Sequence, residues 1–176
     1  MPSPSVLEHS TPSLVPPLAP AAMLAIAREL ARDAATRRAL ARHHARERWF
    51  RRLVEHHAYD VWLIGWASYQ RVDLHDHGGS SGALSVVEGE LLESSGRRGG
   101  GGELPDQRLV AGTARAFGAG HVHRVVNPRA AVATSLHVYS PPLVRMDFYE
   151  RDTENVLNST HTEPALASRS GPGELR

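Results

Sequence analysis

Two histidines one residue apart, His75 and His77, are answered far downstream by a third, His123, inside Gly120-His121-Val122-His123-Arg124-Val125-Val126-Asn127. Residues at i and i+2 of a strand project to one face. Two imidazoles from one strand and one from a distant strand can therefore complete a three-nitrogen metal site. That requirement constrains the fold, because the chain must pair segments remote in sequence. An HxH pair alone is weak evidence, since the chain has 11 His and a second such pair, His121 and His123. The spacing of the surrounding residues has to carry the argument.

Those surroundings read as β-structure. Tyr59–Trp66 is a strand candidate, as are Ala83–Val87, Gly89–Ser94, Thr113–Phe117, Val122–Asn127, Val132–Tyr139 and Arg145–Tyr149. Short strands separated by Gly-rich turns indicate a sandwich or barrel. Upstream the character differs. Residues 1–20 are rich in Pro and Ser and read as a flexible tail. Residues 21–57 are rich in Ala, Leu and Arg without Pro or Gly, which predicts helices, with Asp33 as a cap for the second. Residues 59–152 form the β-barrel, so that 21–152 is one domain. Residues 153–176 turn polar and read as a loosely packed tail. Gly99–Gly102 lacks the Lys-Ser/Thr of a phosphate-binding loop.

Composition excludes several function classes. There is no Cys, so no disulfide, Cys-ligated zinc or thiol nucleophile. The formal net charge is +1, which gives no reason to expect a nucleic-acid partner. No stretch has the ~20 apolar residues of a membrane span, and the first basic residue is Arg28, so the N-terminus lacks the charged region of a secretory signal. A cytoplasmic location is expected.

The spacing resembles the two motifs of the cupin superfamily. The first matches at His75, His77 and Gly89, with Tyr69 in place of its opening Gly and Gly82 in place of its Glu. The second matches at Gly112, Gly120, His123 and Asn127, with Gly118 in place of its Pro. This resemblance implies a mainly β fold, a cupin (double-stranded β-helix, jelly-roll) barrel with N-terminal α-helices. It selects His123 over His121 as a ligand; His121 shares its strand face and is expected as an exposed histidine, the alternative being a group behind the ligands or facing the substrate. With the usual Glu missing, three neutral imidazoles leave a divalent charge uncompensated, which favours an anionic ligand such as a substrate thiolate.

Ser135-Leu136-His137-Val138-Tyr139-Ser140-Pro141-Pro142 extends the likeness. With the histidine motifs it resembles the cysteine dioxygenase family over about Trp49 to Tyr149. The resemblance implies that His75, His77 and His123 bind Fe(II), and that Ser135, His137 and Tyr139 form a hydrogen-bonded catalytic triad. Alternation agrees, since 135, 137 and 139 share one strand face. The carboxylate-binding Arg of the family falls on Arg51 in Trp49-Phe50-Arg51-Arg52-Leu53, with Arg52 as the alternative. With Gly82 where animal members carry a Cys, Tyr139 cannot form their thioether, as in the bacterial branch. The expected activity is oxidation of L-cysteine with O2 to cysteine sulfinic acid. The alternatives are a 3-mercaptopropionate dioxygenase and, in another class, a non-catalytic metal-binding cupin that serves as a ligand sensor.

Overall fold

The computed structural model describes residues 16–165. The chain opens with α1 (Pro20–Arg32) and α2 (Ala34–Leu40). Asp33 caps α2 as expected, accepting the Thr36 backbone N–H at 3.1 Å. Eleven strands follow: β1 (Trp49–His56), β2 (Tyr59–Trp66), β3 (Arg71–His75), β4 (Ser81–Glu88), β5 (Glu90–Arg97), β6 (Asp106–Val110), β7 (Ala114–Phe117), β8 (His121–Val126), β9 (Ala133–Ser140), β10 (Arg145–Arg151) and β11 (Leu157–Pro164). All pairings are antiparallel. One sheet runs β1-β2-β9-β4-β7 and the other β11-β10-β3-β8-β5-β6. Two facing sheets of this order form the expected mainly β jelly-roll with N-terminal helices.

Alternation along the strands explains why the first sheet is covered on both sides. Trp62, Ile64 and Trp66 of β2 and Leu84 and Val86 of β4 point into the barrel, where they meet Leu91, Leu109 and Val125 of the second sheet. The intervening residues, Val61, Leu63, Ala83, Leu136 and Val138, face outward. They stay dry because α1 lays Met23 and Ala27 across them, both fully buried. No helix among the described residues is long and apolar enough to cross a membrane.

Two local expectations are corrected. Within 21–57, residues Trp49–His56 form β1 rather than helix, paired with β2 from Trp49 opposite Gly65 to His56 opposite Tyr59. Within 153–176, Leu157–Pro164 form β11, paired along β10, and the buried Ala165 closes onto the Val144 carbonyl. The proposed N-terminal tail falls outside the described residues up to position 15, and the C-terminal one from position 166.

Candidate metal centre

β3 and β8 pair so that His75 lies directly opposite His123. His77 is not on the strand. It sits in the connection from β3 to β4 and turns back toward the same point, with ring centroids 5.1 Å from His75 and 5.0 Å from His123. The turn that aims it is pinned through Asp76, which is fully buried. The Asp76 carboxylate accepts the Gly78 N–H at 2.8 Å, the Tyr149 hydroxyl at 2.6 Å and the Arg98 guanidinium. Gly78 is needed there because its φ is +58° and a Cβ would meet Arg145 Cγ at 2.4 Å.

The three imidazoles offer nitrogens that all lie within 4.8 Å of one another. The His75 Nδ1–H donates to the Asp73 carbonyl at 2.8 Å and the His123 Nδ1–H donates to Glu93 at 2.7 Å. Each pairing commits one ring nitrogen and leaves Nε2 as a free acceptor. Both nitrogens of His77 are buried without a hydrogen-bond partner, a costly condition that a ligand would relieve. Burial, followed by the neighbouring imidazoles, holds His75 and His77 well below the ordinary histidine range. Neutral imidazole is the form that coordinates metal. The donor set fits a divalent transition metal.

Position 82 bears on the fourth ligand. A Cβ on Gly82 would meet Phe117 Cζ at 2.5 Å and the Val138 carbonyl at 2.9 Å. The Phe117 ring stacks 4.9 Å from His77 and 4.9 Å from His121. The space toward which a glutamate would extend is thus taken by an aromatic ring.

The other sheet supplies the facing wall. Ser135, His137 and Tyr139 project inward from β9 and are all buried. Ser135 Oγ lies 2.9 Å from His137 Nε2, and His137 Nδ1 lies 3.1 Å from the Tyr139 hydroxyl. Trp66, which sequence reasoning did not single out, donates its Nε1–H to Ser135 Oγ at 2.9 Å. Trp66 can only donate, so Ser135 Oγ accepts at that end. Ser135, His137 and Tyr139 then form one continuous hydrogen-bonded chain across the face of β9, its directions following the His137 tautomer. Burial, with help from the nearby His123, lowers the His137 pKa to about 3, so it stays neutral. Burial also pushes Tyr139 well above the ordinary phenol value. Val72, Val125 and Met146 give the cavity its apolar lining.

The arginine that reaches this cavity is Arg48, one residue before β1. Its guanidinium lies over the Trp66 ring at 5.2 Å, its Nε has no partner, and burial lowers its pKa to about 10. Arg51 is corrected: it is exposed, lies across from Leu63 and faces away from the cavity. Arg52 does point inward, but it covers Trp62 at 5.4 Å and pairs with Glu55 at 2.9 Å. Period-two alternation accounts for both results. Positions 48, 50 and 52 share the barrel face, and position 51 does not. The exposed reading of His121 is corrected too: its side chain is 11% exposed and hydrogen-bonds Glu93 at 2.9 Å, which favours the alternative of a group beside the ligand histidines.

Known proteins resemble this chain in family and in fold. The family model of cysteine dioxygenase type I matches residues 21–152. Among solved structures, a protein of Thermus thermophilus is 25% identical, with a TM-score of 0.52 over 60% of this chain and 93% of that one. A double-stranded β-helix protein of Klebsiella pneumoniae is 19% identical, with a TM-score of 0.50 over 60% of this chain and 86% of that one.

Proposed function

The chain belongs to the cysteine dioxygenase type I family, and on that premise we propose that it is an iron-dependent thiol dioxygenase that converts L-cysteine and O2 to cysteine sulfinic acid. The observation that carries this reading is the convergence of three buried imidazoles, their nitrogens within 4.8 Å of one another, two of them lining a cavity shared with Tyr139 and Arg48. His75, His77 and His123 would hold Fe(II), which when bound supplies the redox centre where a thiol and O2 react. Both oxygen atoms end on sulfur, so thiol plus O2 balances to sulfinic acid with no further reductant.

The protein's part is positioning. Arg48 presents a planar donor fork suited to the substrate carboxylate. Its position over Trp66 keeps it close to the triad, so one end of the substrate is fixed while the sulfur is left near the imidazoles. Tyr139 presents its hydroxyl at the cavity, and the hydrogen-bond chain through Trp66, Ser135 and His137 holds it in place. The apolar walls exclude water, which strengthens each of these contacts. Phe117 above Gly82 keeps a protein carboxylate out, so the anionic partner comes from the substrate.

Oxygen uptake by the iron-loaded protein with L-cysteine, 3-mercaptopropionate and cysteamine tests the reading. Uptake is expected with the two carboxylates and not with cysteamine. No uptake with any of the three rejects the enzyme and favours a ligand-binding cupin. 3-Mercaptopropionate is the second reading, because no Asp or Glu lines the cavity among the described residues, leaving no carboxylate there to hold a substrate ammonium.

A further inference from the structure

The residues described so far leave one buried charge unused. Glu93 of β5 is 0% exposed. It lies on the inward face, diagonal to His123, because Ser95 is the residue directly opposite that ligand. One carboxylate oxygen accepts the His123 Nδ1–H at 2.7 Å and the His121 Nε2–H at 2.9 Å. The other accepts the Arg115 guanidinium, which is also held by Gln107. A carboxylate withdrawn from water at this depth is costly unless its donors are all in place, and here they are.

We infer that Glu93 is a positioning residue for the three-histidine centre, supplying through His123 the negative charge that the cupin motif normally places at position 82. The inference rests on the three-histidine reading given above. The physical basis is the hydrogen bond to the far nitrogen of a ligating imidazole. A full carboxylate there fixes the tautomer and ring orientation and makes the imidazole a stronger electron donor. The influence extends to a second ligand. Glu93 holds His121, His121 stacks on Phe117, and Phe117 stacks on His77. Arg115 is 25% exposed, so water screens part of its charge and Glu93 keeps a net negative effect toward the centre.

Glu93→Gln removes the charge while its amide oxygen still accepts from His123; its NH2 then faces Arg115, an effect that the Arg115 variant separates. Metal affinity is measured by chelator competition on the full chain, and the midpoint potential of the bound iron by spectroelectrochemistry. Glu93→Gln is expected to weaken binding by about 10- to 100-fold and move the potential to more positive values. Arg115→Gln, which frees the carboxylate from its cationic neighbour, is expected to move the potential the other way. It keeps the test decisive if Glu93→Gln does not fold. An unchanged potential in Arg115→Gln, or a folded Glu93→Gln that keeps wild-type affinity and potential while only its melting temperature falls, overturns the inference and makes Glu93 an ordinary buried ion pair. Failure of the wild type to take up any divalent metal rejects the three-histidine reading itself.

Discussion

The Tyr139 hydroxyl is held at one end of a hydrogen-bond chain whose far end is an indole. Trp66 Nε1 donates to Ser135 Oγ, Ser135 Oγ pairs with His137 Nε2, and His137 Nδ1 pairs with Tyr139 Oη. Tyr139→Phe removes the hydroxyl at the cavity end without touching a nitrogen of His75, His77 or His123. Its oxidation rate should fall about 10- to 100-fold with iron content unchanged, as checked by oxygen uptake beside metal analysis. Arg48 makes a prediction of another kind. A charge-assisted hydrogen bond is worth about 1.5–3 kcal/mol, so Arg48→Gln should raise KM for L-cysteine about 10- to 100-fold, whereas Arg51→Gln leaves it unchanged. Steady-state kinetics on both variants separates the inward residue from the outward one. The same pair shows where sequence reasoning reached its limit. A motif match can slide along an arginine-rich run, while strand alternation is set by the pleat and puts Arg48, not Arg51, on the barrel face.

β1 was not legible as a strand, and the reason is tertiary. Its residues, Trp49–His56, follow an Ala- and Arg-rich stretch with no breaker, so local preference favours helix. The edge of β2 offers its hydrogen bonds to the segment, and that pairing overrides a weak preference. β2 itself was read with its observed limits, because Tyr59–Trp66 is apolar on both faces and both faces are covered. The three candidate histidines were legible because the two histidine motifs carry their own spacing; Glu93 was not, because nothing in the sequence tells a buried glutamate on an alternating strand from an exposed one. β2 also carries a cost. Asp60 near its start is 1% exposed, pairs in register with Tyr139 and accepts a long 3.3 Å bond from the Leu143 N–H. Burial raises its pKa to about 6. A carboxyl whose folded pKa lies above its unfolded value stabilises the fold below the unfolded pKa, and that stability is lost as pH rises from about 4 to about 6. Asp60→Asn should therefore gain up to about 3 kcal/mol over wild type at pH 7 and little at pH 4. Denaturant unfolding of both proteins at the two pH values measures the difference.

At the scale of the whole molecule, the site joins the two sheets. His75 and His123 come from the sheet that holds β3 and β8, whereas Ser135, His137 and Tyr139 come from the sheet that holds β9. His77 lies on the connection that carries the chain from one sheet to the other. An ion held by all three histidines would tie that crossover to the β3–β8 pair. Such an ion would favour the folded arrangement, because the unfolded chain does not bring position 77 near position 123. Binding must then stabilise the fold, by about 2.7 kcal/mol when free metal is a hundredfold above its Kd. For a chain of this length, about 2–4 °C accompanies each kcal/mol. Anaerobic addition of Fe(II) should therefore raise the melting temperature by roughly 5–10 °C. His77→Ala should abolish the rise, since two imidazoles on paired strands no longer engage the crossover. Differential scanning calorimetry with and without metal on both proteins reads this directly, and an equal rise in His77→Ala would place the ion elsewhere.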